Sequence, residues 1–181
     1  MFSFISRYTR WLHTGWPAGT VEKLPQVNED GTTNVPGAYV AGDLTGIPLL
    51  KFSADTGARC IQHMCADPTF QKARGTKAAD VYDVAIIGSG VAGSAAAMEA
   101  KKKGLNFVLF EATETYSTIK NFPKGKPIFT YPTDMTPEGD LQFHHQVKEP
   151  LVEDLDRQLA EHGIEPTVAR RNFVFLMASP S

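Results

Sequence analysis

Three glycines and one acid carry the chemistry for which this chain can be read. Gly88, Gly90 and Gly93 stand in the run Gly88-Ser89-Gly90-Val91-Ala92-Gly93, directly after the apolar stretch Val84-Ala85-Ile86-Ile87. Glu111 closes a second apolar stretch, Phe107-Val108-Leu109-Phe110, at about the 20-residue distance such a unit asks for. Glycine in the first position allows a tight turn, in the second lets backbone come close to a pyrophosphate, and in the third lets a helix pack on the strand. A helix beginning there aims free N–H groups and its positive end at phosphate. The acid is placed to accept hydrogen bonds from ribose hydroxyls. The chemistry is therefore dinucleotide binding, with Gly88, Ser89, Gly90, Val91, Ala92 and Gly93 on the phosphates and Glu111 on the sugar. Glycines alone also make merely structural turns, but a preceding strand, a following helix and the acid favour the nucleotide site.

The elements that position these residues are a strand over Val84 to Ile87, a helix through Ser94 to Lys103, and a parallel strand over Phe107 to Glu111: one βαβ unit. Lys101-Lys102-Lys103 reads as a solvated last helical turn that also suits the dipole. No arginine follows Glu111 directly, which argues against an NADP 2′-phosphate in this site. Upstream, Ala38 to Ala41 reads as a short apolar strand ending on Gly42-Asp43, and Leu49 to Met64 is helical in pattern. An aspartate at the carboxyl end of a strand sits where open α/β sheets bind ligands, although Asp43 could equally cap a helix or turn. Downstream, Ser117 to Asp140 holds Pro123, Pro127, Pro132 and Pro137 and is expected to be an extended, ordered loop. Glu149-Pro150 opens a helix whose buried stripe is Leu151, Val152, Leu155 and Leu159, and Gly163 ends it. Thr167 to Ala169 and Phe173 to Met177 are short β-type runs. No side chain stands out as a general acid, base or nucleophile. His144-His145 lies in a polar loop without metal-type partners and reads as surface histidine, so neither a catalytic residue nor a metal site is assigned.

Composition sets the bounds. At 181 residues, 42% hydrophobic and 21% charged, the chain suits a soluble α/β protein of one domain, or one domain plus part of another. Its net charge of −2 gives no general attraction to nucleic acid. Cys60 and Cys65 do not form a redox-pair spacing, and two thiols without a disulfide framework suit a reducing, cytoplasmic setting. No apolar run reaches membrane-spanning length. Residues 1–19 form an amphipathic segment with Phe4, Ile5, Tyr8, Trp11 and Leu12 on one helical face, and Arg7 and Arg10 interleaved. Such a helix can lie on a membrane surface, but docking on the protein body, a second copy or a partner subunit is the favoured reading. The division expected is 1–19 helix, 20–65 strand-Gly-Asp-helix segment, 66–80 linker, and 81–181 the βαβ segment.

These residues resemble the two-dinucleotide-domain flavoprotein reductases, in particular the thioredoxin-reductase-like and bacillithiol-disulfide-reductase-like groups, over roughly residues 20–165. Gly88 to Gly93 with Glu111 is similar to that family's amino-terminal FAD fingerprint. Asn121-Phe122-Pro123 and the helix after it are similar to the segment that runs beside the flavin, and this implies a cofactor contact for Asn121. Thr33 to Asp43 resembles the carboxy-terminal FAD motif, whose aspartate holds the ribityl chain; this implies that Gly42 and Asp43 bind cofactor and that Leu50, Lys51 and Phe52 lie near the flavin ring. The resemblance implies FAD as cofactor, with NAD(P)H as hydride donor in a complete enzyme. In the family the aspartate motif comes last, whereas here it comes first. The expectation is thus a circularly permuted, incomplete Rossmann-like FAD-binding domain, with the linker as the joint. The nicotinamide domain's own glycine fingerprint and the reductase cysteine pair have no counterpart here. The isolated chain is accordingly expected neither to oxidise NAD(P)H nor to retain FAD tightly. Other readings are a non-catalytic nucleotide- or partner-binding module, a truncated inactive copy, and a plain NAD-binding Rossmann protein; the aspartate motif tips NAD towards FAD.

Overall fold

The computed structural model describes residues 26–76, 78 and 80–169. The amphipathic segment 1–19 and the run Phe173 to Met177 lie outside the described residues. The elements are a 3-10 turn, Gly42–Thr45; α1, Leu50–Ala66; α2, Pro68–Thr76; β1, Val84–Ile87; α3, Val91–Lys102; β2, Phe107–Glu111; α4, Ser117–Lys120; α5, Lys148–Glu161; and β3, Thr167–Val168. The three strands form a parallel sheet in the order β1-β2-β3. This is a mixed α/β, Rossmann-like arrangement, as expected. Val84 pairs with Phe107 and Ile87 with Phe110, and Phe110 pairs in turn with Thr167.

Alanine dominates α3 because the helix is a middle layer. Ser94 to Ala100 are all buried, so every side chain there must be small or find a partner inside. One side of α3 meets the sheet, where a Cβ at Gly93 would overlap the Gly88 carbonyl and touch the Ile86 side chain. Its other side meets α1, where a Cβ at Gly57 would overlap the Ala92 carbonyl. Helices that cross this closely do so through small residues, and Ala54, Gly57 and Ala58 supply them on α1. Leu151 and Leu155 on α5 are fully buried and complete the core with Leu141, Met98 and Leu109. The stripe is as read from the sequence, except that Val152 is only half-buried.

Three expectations are corrected. Ala38 to Ala41 does not join the sheet. Its polar groups are used locally, by an antiparallel bridge between Thr32 and Tyr39 and a 2.9 Å bond from Val40 N–H to the Gly31 carbonyl. Left-handed Gly37 and Gly42 bound the run and turn the chain away on either side. It is nonetheless anchored, since Gly42 N–H donates to Thr56 Oγ1 on α1 at 2.9 Å. The second correction concerns 66–80, which is largely a helix. Asp67 Oδ1 accepts from Thr69 N–H at 2.8 Å, Pro68 occupies the tolerant first position, and Arg74 ties α2 to Asp83 and to the Gly104 carbonyl. The third lies inside the proline-rich stretch, where Ser117–Lys120 makes one helical turn before the extended loop begins.

Among the described residues β1 has a strand neighbour on one side only. Ile87 is 59% exposed and Val168 56% exposed, so apolar strand surface is left uncovered there. No helix among the described residues is long and apolar enough to cross a membrane.

Candidate dinucleotide site

A cleft of about 570 Å³ opens at the carboxyl end of the sheet, within the range of small-molecule and cofactor sites. Its floor is Ile87, Gly88 and Gly90 to Gly93. One wall is Ala41 to Asp43 with Pro48, Leu49, Leu50 and Ser53; the other is Tyr116 to Ile119 and the loop from Phe122 to Tyr131. Two stretches well apart in the chain, the Asp43 segment and the glycine turn that starts at Gly88, thus face one crevice, because α1 lies directly on α3.

The glycines of the turn have separable roles. Gly88 sits at φ +93°, a region that favours glycine, while its N–H continues the strand ladder to the Phe110 carbonyl at 2.8 Å. Gly93 is required by packing. Gly90 is required by neither: its φ of −72° suits any residue, and a Cβ there would meet nothing within 4 Å. The free space above Gly90 belongs to the cleft. A backbone left bare at the amino end of a helix, with nothing in the protein demanding it, fits a phosphate group coming close.

Glu111 holds the turn from the other side. Its Oε2 accepts from Ser89 N–H at 2.8 Å and Ser89 Oγ at 3.0 Å, and its Oε1 accepts from Ala112 N–H at 2.8 Å and Thr113 N–H at 3.0 Å. Partial burial works against its ionisation, but the hydrogen bonds from Ser89, Thr113 and Ala112 outweigh that and hold the carboxyl below the usual glutamate range. The folded state therefore gains from the carboxylate above the unfolded-state pKa and loses that gain as pH falls through the lowered value. Glu111→Ala is expected to reduce unfolding free energy by about 1–3 kcal/mol at neutral pH. Urea titrations should show the difference from the unmodified chain closing in acid; a difference that persists there would contradict the clamp.

On the opposite wall, Asp43 Oδ1 accepts from Ser53 Oγ, in the first turn of α1, at 2.7 Å. The carboxylate thus stands at the positive end of α1 and at the cleft edge together. Leu50 lines the cleft. Lys51, Phe52, Asn121, Ser89 and Glu111 do not. Lys51 departs most from expectation: it is buried, and its ammonium donates to the carbonyls of Pro132 at 2.7 Å and Met135 at 2.6 Å. That ammonium binds a loop and does not face the cleft. Asn121 is exposed at the end of α4.

The sequence reading missed Tyr116, Phe129 and Tyr131. Tyr116 is buried at φ +56°, lines the cleft and takes its N–H to the Ser89 carbonyl at 3.2 Å. Burial pushes its hydroxyl up to about 12, so it stays protonated. No sequence signal marks a tyrosine for the left-handed region. His144, read as a surface histidine, is exposed but its Nδ1 lies 2.8 Å from buried Asp154. No group of three side chains that could hold a metal occurs among the described residues. Cys60 is buried and Cys65 half-buried, both as free thiols.

The family model for pyridine nucleotide-disulphide oxidoreductases matches residues 82–174, just over half of the chain. The chain belongs to the pyridine nucleotide-disulphide oxidoreductase family. Neither a curated protein nor a solved structure matches it. As a member of this family it contains an FAD/NAD(P)-binding oxidoreductase domain, and the matched residues hold the glycine turn, Glu111 and the aromatic loop. The Asp43 segment and α1 lie before the matched residues, yet they build one wall of the same cleft.

Proposed function

We propose that this chain is the FAD-binding part of an NAD(P)H-dependent flavoprotein reductase of the thioredoxin-reductase-like kind, with its aspartate motif moved ahead of its glycine fingerprint. The observation that carries the reading is the shared crevice of Gly88–Gly93 and Asp43. Flavin, when bound, supplies the chemistry of accepting a hydride from NAD(P)H and releasing electrons to an acceptor. The chain's share is binding and orientation. Gly88 to Gly93 and the start of α3 would hold the pyrophosphate. A ribose hydroxyl reaching Glu111 would exchange with one of its present donors. Asp43 and the N-terminus of α1 would take the polar chain and ring end, with Leu49 and Leu50 excluding water.

Asp43→Ala tests this. FAD affinity is expected to fall by about 1–3 kcal/mol, measured by titration with flavin fluorescence. Ser53→Ala, which removes the tie that holds the Asp43 carboxylate, should lower affinity by less than Asp43→Ala does. Equal FAD affinity in Asp43→Ala and the unmodified chain would remove the front segment from the site.

A further inference from the structure

Resting on the FAD reading, we propose that Phe129 and Tyr131 form the wall on which the planar ring end of the bound dinucleotide lies, with Lys51 as the residue that positions that wall. Both aromatic rings line the cleft. Phe129 is 61% exposed and Tyr131 53% exposed. Their rings stack on each other, with centroids 5.8 Å apart and planes 26° from parallel. A large exposed aromatic pair is unusual within a concave site, and such a pair gains most from a flat apolar partner.

The backbone carrying the pair is fixed on both sides. Ile128, between them and the core, is buried, and its N–H donates to the Gln146 carbonyl at 2.8 Å. Beyond Tyr131, the buried Lys51 ammonium is spent on the Pro132 and Met135 carbonyls. Among the described residues no carboxylate pairs with this buried lysine, and three backbone carbonyls on one loop offset the cost of burying it. The result is a loop tied before and after the pair, with both aromatic side chains out of the core and in the cleft.

The same tie decides which end of the ligand is involved. Lys51 is the second residue of α1, so it ties Tyr131's neighbours to the same first helical turn whose Ser53 holds Asp43. The glycine turn on the cleft floor, with Glu111 bonded behind it, suits the ADP half. The aromatic pair is therefore left for the tricyclic flavin ring.

Equilibrium titrations with FAD and with ADP, on the unmodified chain and on the double variant Phe129→Ala/Tyr131→Ala, test the proposal. The expected result is an FAD dissociation constant raised about tenfold, an unchanged ADP constant, and weaker quenching of bound flavin fluorescence. Unchanged ADP binding also reports that the variant is folded. FAD affinity and quenching that do not move in the double variant, while the unmodified chain binds both ligands, would overturn the wall alone. An unmodified chain that binds neither ligand would overturn the dinucleotide reading and the wall with it.

Discussion

Gly90→Val is expected to fold as the unmodified chain does and to lose FAD binding. The two halves of this expectation have separate causes. Gly90 has an extended backbone, and a Cβ added there meets no atom within 4 Å beyond its own chain neighbours, so the branch of a valine starts into open cleft. Unfolding free energy should change by less than about 1 kcal/mol, because restricting the unfolded chain offsets the poorer helix start. The space the valine fills is the space above the first turn of α3, where backbone and phosphates must come close. A loss of about a hundredfold or more in affinity is expected. Circular dichroism melts and an FAD titration of the same sample check both halves. Unaltered flavin binding by a folded Gly90→Val chain would take the glycine turn out of the site.

Gly57→Leu should have the largest effect on folding. A Cβ at this position would overlap the backbone carbonyl of Ala92, and backbone in the middle layer cannot step aside as a flexible side-chain end can. The helices α1 and α3 would have to separate, uncovering Ala54, Ala58, Ala95 and Ala96. A loss of about 3 kcal/mol or more in unfolding free energy is expected. The two walls of the cleft would part as well, since α1 carries one of them. A Gly57→Leu chain with unchanged melting would mean that the front segment does not rest on α3 in solution.

Much of this was legible because the patterns were local. Val84 to Glu111 announces its turn, helix and parallel strand through residues that touch each other, and the structure follows it closely. Residues 66–80 read as linker because they are polar, and the bonds that fix a helix there, from Arg74 to Asp83 and to the Gly104 carbonyl, come from far along the chain. Ala38 to Ala41 has strand composition but lies between two left-handed glycines, and its hydrogen-bonding partners at 31–32 were close enough to win over the sheet. Lys51 is the sharpest case. A lysine early in a helix beside a cleft reads as a ligand contact, and only the folded position of residues 132–135 shows where its ammonium goes. Phe129 and Tyr131 alternate with Ile128 and Thr130 in a proline-rich loop, a spacing that by itself does not separate a cleft wall from a buried strand.

One measurement bears most directly on the claim that the Asp43 segment and the glycine turn build a single FAD site. FAD is titrated into the unmodified chain, the Asp43→Ala variant, the Gly90→Val variant and the double variant, with flavin fluorescence as the signal. The account predicts saturable quenching with one flavin per unmodified chain, weaker binding when Asp43 is lost, none when Gly90 is valine, and none in the double variant. Flavin fluorescence unaffected by the unmodified chain, or binding that ignores Asp43 and Gly90 alike, would contradict it.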